Sequence, residues 1–242
     1  MSKADIIAKL RQDLLSLQGL RPASDPLNVG LGLIESAFPN DTFPTGAMHE
    51  FLSDTAEDAA ATYGFIAAIL APLMQLGGAC VWIRKTNKIF PPALTAFGIR
   101  PDQVIFIDQS NDRPTLWAAE EALKCPGLAA VILEIQDISL IASRRLQLAV
   151  EQSRVTGFII RYKPRSLHTI ASVAQWRIQA YASVSHNGMP GLGFPRWQIE
   201  LLRVRNGKPG KWLTEYMDGR LLPVVSEAAQ IIPEQNVRRK IG

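Results

Sequence analysis

The sequence predicts an α/β fold: three layers, α/β/α, around a mostly parallel central sheet that antiparallel strands extend. Three observations predict it. From residue 43 onward, short continuous apolar runs alternate with helical stretches, the pattern that arises when helices cover both faces of a parallel sheet. After residue 162 the helices stop, and strand-like runs follow one another across Asn-Gly and Asp-Gly turns, a signature of antiparallel pairing. A hydrophobic fraction of 47% in 242 residues supplies a sizeable core.

The elements justify this reading in order. Residues 3–18 place Ile6, Ile7, Leu10, Leu14 and Leu17 at helical spacing, and Gly19 can end that amphipathic helix. Its apolar stripe, with Leu10, Leu14 and Leu17 as its centre, must bury against this domain or against a partner. Residues 19–42 read as a connector rich in Pro, Gly and Asn. A short strand over 48–52 follows, then a helix to Gln75 opened by Asp54 as N-cap and Glu57 as its capping-box partner. Apolar strands are expected at 79–83, 104–107, 129–133 and 157–160, with helices at 91–97, 114–124 and 139–154 between them. Strands at 173–182, 197–204 and 212–216 form the antiparallel extension. The expected organisation is therefore 1–42 helix and connector, 43–225 core domain, and 226–242 tail.

Composition narrows the function classes. No apolar run is long enough to span a bilayer; the nearest, 63–76, is short and carries Pro72. The first residues lack the apolar block and cleavage site of a signal peptide. Cys80 and Cys125, with no C-x-x-C spacing, speak against a disulfide scaffold or a zinc centre. The expectation is a cytoplasmic protein with no membrane partner, no metal and no cofactor. Charge is uneven along the chain. Residues 1–151 hold 12 basic against 17 acidic side chains, whereas 152–213 hold 10 basic against one acidic, Glu200. Such a basic half is either a solvated face or an electrostatic patch for nucleic acid or an acidic protein surface. Its candidate contacts are Lys163 and Arg165 in the loop after a strand, and Arg203, Arg205, Lys208 and Lys211 on a hairpin.

A strand, turn and helix at 48–76 is where a mononucleotide-binding fold keeps its phosphate loop. Such a loop needs glycines that bring backbone N–H groups to the phosphates, a lysine, and a hydroxyl for magnesium. Here the turn contains Ser53, Asp54, Thr55, Glu57 and Asp58, without glycine or lysine. Three carboxylates favour the helix dipole and repel a polyphosphate. Glu134 ends a strand where a carboxylate could hold magnesium through water, with Asp137 behind it; without a phosphate loop it reads as structural or solvated. His49, His168 and His186 have no ligand-spaced partners. Trp176, Trp197 and Trp212 lie in the antiparallel strands and read as packing rather than base-stacking residues. The loops at 163–172 and 186–195 form a candidate binding rim.

The run Phe43-Pro44-Thr45-Gly46-Ala47-Met48-His49-Glu50 resembles the L-P-x-G-x-(L/I)-x-E approach to the first strand of RecA, and 80–161 follows RecA's order of strands and helices. The closing pattern, above all Arg205-Asn206-Gly207-Lys208-Pro209-Gly210-Lys211-Trp212, resembles that of ImuA proteins, RecA-related accessory factors of bacterial mutagenic translesion synthesis. The resemblance covers about residues 40–223 and implies a RecA-like fold. It also implies partners: an ImuB-like inactive polymerase relative, a DnaE-type polymerase or RecA itself; single-stranded DNA is a further candidate on the strength of the basic half alone. Departures from RecA point to a pseudo-ATPase. The phosphate loop is missing, Arg84-Lys85-Thr86 stands where RecA places the acidic residue that activates water, and Arg161 stands where a glutamine senses the nucleotide. Two other functions share the scaffold: a SulA-like cell-division inhibitor that binds FtsZ, and an ATPase with a divergent phosphate loop.

Overall fold

A computed structural model describes residues 27–85, 89–185 and 192–224. Nine strands form one sheet in the order β3-β2-β4-β5-β1-β6-β7-β8-β9. They are β1 (Met48–Ser53), β2 (Ala79–Arg84), β3 (Val104–Asp108), β4 (Leu128–Glu134), β5 (Thr156–Tyr162), β6 (Ala174–Tyr181), β7 (Arg196–Val204), β8 (Gly210–Met217) and β9 (Arg220–Pro223). Helix α1 (Ala56–Gln75) covers one face; α2 (Asp112–Leu123) and α3 (Leu140–Ser153) cover the other. This is the three-layer α/β/α arrangement that the alternation of apolar runs implies.

Strands β1 to β6 are all parallel: β1 pairs with β5 and β6, β2 with β3 and β4, and β4 with β5. Only β6 to β9 form an antiparallel meander. The boundary therefore falls one strand later than expected. The first strand after residue 162 runs parallel to β1, with His49 opposite Ala174, and it gets there without a helix. The intervening residues 163–173 reach far enough to recross the sheet, because a seven-residue strand is only about 23 Å long. They are fixed on the way by Ala171 N–H donating to Ser143 Oγ of α3 (3.0 Å) and by Ile170, buried with the α2 and α3 residues.

The face under α1 holds the larger core. Trp176 is fully buried and stacks on Phe51 with ring centres 6.0 Å apart, while Trp197 lies between Phe65 and Tyr216. Both tryptophans are packing residues, and Trp212 packs against the same cluster. The connector joins this core through Val29, Leu31, Ile34 and Phe38.

Two sequence signatures have structural explanations. In the approach to β1, His49 lies stacked on Phe43 at 4.4 Å and its Nε2 donates to the Pro44 carbonyl (2.8 Å). That leaves Nδ1 to accept from the Trp176 indole (3.4 Å). In the closing run, Lys208 N–H donates to the Ala37 carbonyl (2.8 Å), and a Cβ on Gly207 would lie 2.3 Å from that oxygen. The hairpin can approach the connector only because position 207 has no side chain. Asp218 and Gly219, both at positive φ, make the two-residue turn between β8 and β9.

Candidate functional site

The turn after β1 is two residues long, Asp54 and Thr55. Several side chains in and around it have partners within the chain. Ser53 is buried, its Oγ 3.0 Å from Thr62 Oγ1. Thr55, not Asp54, is the N-cap, and its hydroxyl accepts from Asp58 N–H at 3.1 Å. The shift by one residue follows from β1 continuing through Ser53. Asp58 Oδ1 accepts from Ala180 N–H of β6 at 3.4 Å. Asp54 has the Arg177 guanidinium 3.8 Å away, and Glu57 points to water. The helix start thus presents carboxylates, and Thr55 takes the Asp58 and Ala59 N–H groups that a phosphate would use.

Glu134 is a buried structural carboxylate. Trp82 Nε1 donates to it at 2.8 Å, and Tyr63 shares a side-chain hydrogen bond with it. Burial, reinforced by the Glu134 charge, pushes the Tyr63 phenol well above its ordinary pKa. Beside them a pocket of about 230 Å³ opens between Tyr63, Lys85, Gln136 and Tyr162. Lys85 is held by Asp112, and Arg84 Nε by Asp108 at 2.7 Å.

Arg161 is fully buried and serves the interior. It donates to Glu50 Oε1 (2.8 Å), Asp137 Oδ1 (3.3 Å) and the carbonyls of Ser166 (2.6 Å) and Gln136 (3.3 Å). Glu50 is also buried, and its second oxygen accepts from Gln175 (2.8 Å). One ion pair therefore ties β1, β5 and β6 to the helix-free crossover. Reading the residues singly missed this network. The signal was Glu50 in the middle of a strand that the fold covers on both faces, since a carboxylate there calls for a buried cation.

The six basic candidates do not form one patch. Lys163 and Arg165 lie beyond the carboxyl end of β5. Arg203 and Arg205 lie at the opposite edge, because Arg205 N–H bonds Val173 at the start of β6. The length of the parallel strands, about 20 Å, separates the two groups. Lys163 and Arg165 are exposed; the Lys163 amine sits over the Tyr162 ring at 5.4 Å. Arg203 is occupied, donating to Ser172 Oγ at 2.9 Å and towards the Ile170 carbonyl at 3.4 Å. Lys208 and Lys211 are exposed, with Lys211 in register with Glu200 on β7. Loop 163–172 is the crossover to β6: residues 163 and 165–169 are exposed, Ile170 and Ser172 are buried, and His168 bonds Ser166 Oγ and the Ile138 carbonyl. Leu10, Leu14 and Leu17, His186, the tail from 226 and most of the second rim loop lie outside the described residues. Among the described residues, no group of three potential metal ligands occurs, and no helix is long and apolar enough to cross a membrane.

The fold is that of RecA-like α/β proteins. The crystal structure of the RadB recombinase superposes with a TM-score of 0.56 at 13% identity, covering 82% of this chain and 100% of that one. No model of a known protein family matches. In sequence, the chain is 33% identical over 209 residues to Protein ImuA of Caulobacter vibrioides, in two strains (NA1000 / CB15N and ATCC 19089 / CIP 103742 / CB 15), over 81% of this chain and 86% of the relative. The chain belongs to the ImuA family. Family and fold together support a RecA-like accessory role in mutagenesis.

Proposed function

We propose that this chain is a non-catalytic, cytoplasmic accessory factor of bacterial SOS and translesion DNA repair. It acts by binding protein partners: an ImuB-like polymerase relative, a DnaE-type polymerase or RecA. Single-stranded DNA is a further partner, met by exposed cations such as Lys208 and Lys211 at the hairpin. The observation that carries the reading is the turn after β1. Two residues, capped by Thr55 and flanked by Asp54, Glu57 and Asp58, offer a polyphosphate repulsion instead of a cradle. The conversion of Glu134 and Arg161 to buried structural partners supports the same conclusion.

The test is nucleotide binding. Millimolar ATP with magnesium should leave the melting temperature unchanged, because a ligand that does not bind cannot stabilise. No phosphate release is expected. A rise in melting temperature with ATP, lost on changing Lys85 to Ala, would favour the divergent ATPase instead.

A further inference from the structure

Helices α2 and α3 lie side by side on the face opposite α1. Helix α2 turns Thr115, Ala119 and Leu123 inward, and α3 turns Ser143, Leu146, Ala149 and Val150 inward. Between them runs a groove of about 480 Å³ lined by Arg113, Leu116, Trp117, Ala142, Arg145 and Leu146. On α2, Arg113, Leu116, Trp117 and Glu120 follow helical spacing, so the groove is about 10 Å long from the first to the last. That is the length of two helical turns. Trp117 is 65% exposed and has no aromatic or cation partner among the described residues. Beside the groove, Ile141 is 78% and Leu140 56% exposed. Large apolar side chains gathered in this way mark interaction surfaces.

Charge says what kind of occupant fits. Both helices follow strands that end at the same edge of the sheet, so both positive helix ends meet at one end of the groove. The first turn of α3 carries no acidic residue, and Asp112 in the first turn of α2 is neutralised by Lys85. Arg113 at that end has no carboxylate partner among the described residues. Arg165 lies just ahead of α3, its backbone N–H bonded to Asp137 and its Nε 3.9 Å from the same carboxylate, which Arg161 shares; its side chain is 81% exposed and can turn to a second carboxylate. Farther along, Glu120 and Arg145 neutralise one another at 2.5 Å. The groove is apolar along its floor and positive at its mouth.

We propose that this groove binds a short, acidic, amphipathic segment of a partner protein, with apolar anchors against Leu116, Trp117, Ala142 and Leu146 and carboxylates towards Arg113 and Arg165. The proposal rests on the reading that the chain works by binding proteins. The chain's own ends fit less well. Residues 3–18 carry Lys3, Lys9 and Arg11 against Asp5 and Asp13, a net positive charge. Residues 226–235 have suitable chemistry, with Glu227, Ile231, Ile232 and Glu234. They follow Val224, however, which is bonded to Leu213 near the far edge of the sheet. From there to the strands beneath the groove is about 29 Å, whereas the seven residues to Ile231 span about 24 Å when extended.

The test pans a phage-displayed library of random peptides against the full-length protein, then measures the selected peptides by fluorescence anisotropy. Enriched peptides should combine aromatic or leucine residues with several Asp or Glu. Trp117→Ser and Arg113→Glu should each weaken them by about tenfold or more. Both side chains are exposed, and circular dichroism checks that the variants fold. Arg220→Glu, exposed on β9 at the far edge of the sheet, should leave binding unchanged. The proposal is overturned if acidic-apolar peptides are not enriched, or if they bind both variants as well as wild type. It is also overturned if a synthetic peptide of residues 226–235 displaces them, which would make a second copy of the chain the occupant. Hydrolysis of ATP would remove the pseudo-ATPase reading and leave these outcomes as they stand.

Discussion

The turn after β1 and the groove between α2 and α3 end in opposite states. At the turn, Ser53 meets Thr62, Thr55 caps α1, and Asp58 reaches across to β6. At the groove, Trp117 and Arg113 have no such partner among the described residues. What removes a group from ligand chemistry is a neighbour that takes its hydrogen bonds, and what leaves it available is a neighbour that does not. In this protein Ser53, Thr55, Asp58, Glu134 and Arg161 all have partners within the chain.

The largest expected effect tests how completely Arg161 was absorbed. Changing Arg161 to Met leaves Glu50 buried without its cation, and urea unfolding should show a loss of about 3–5 kcal/mol. The Glu50→Leu, Arg161→Met double variant should recover most of that loss, because no uncompensated charge remains. If the single variant costs less than about 1 kcal/mol, the pair is not the fastening between β1 and β5.

His49 gives the next effect, through pH. Burial holds its pKa down at about 4 from the usual 6.5, with only partial relief from the bond to Pro44. The unfolded chain therefore binds a proton between these values that the folded chain refuses. Stability is full above about pH 6.5 and falls as the pH drops towards 4, by on the order of 3 kcal/mol. A His49→Phe variant should lack that part of the slope when the unfolding free energy is compared at about pH 7.5 and about pH 5. An unchanged slope would place the titration elsewhere.

Gly207→Ala should cost about 1–3 kcal/mol, because its Cβ would meet the Ala37 carbonyl at 2.3 Å. Thermal melting checks this; a neutral result would mean that the hairpin moves away from the connector without loss. The smallest effect belongs to the groove. Trp117→Ser should change the unfolding free energy by no more than about 0.5 kcal/mol, since the ring is mostly in water. A loss comparable to that of a core tryptophan would turn the groove from an available surface into part of the interior.

Strands β1 to β5 were legible because they are mostly apolar and alternate with helical stretches. The N-cap of α1 was misplaced by one residue because Asp54 and Thr55 are both competent caps, and only the length of β1 chooses between them. The parallel direction of β6 was hidden because direction depends on the connection, and a crossover without a helix leaves no periodic pattern. Arg203 resembled a free cation for a similar reason: its partners, Ser172 and Ile170, lie 31 and 33 residues away.

By itself, the sequence determined the α/β class, the order of the strands from β1 to β8 and the absence of glycine and lysine from the turn at 53–58; β9 was not foreseen. These depend on composition and short-range periodicity, which the chain displays locally. Only the tertiary structure decided which charges are available. Ten basic residues between 152 and 213 look like one patch along the chain. Folded, Arg161 is sealed against Glu50, Arg203 is bonded to the crossover, and Lys163 and Arg205 stand at opposite edges of the sheet. A charge acts over roughly a Debye length of 8–10 Å, and distances of that size are set by strand order and direction, not by separation along the chain.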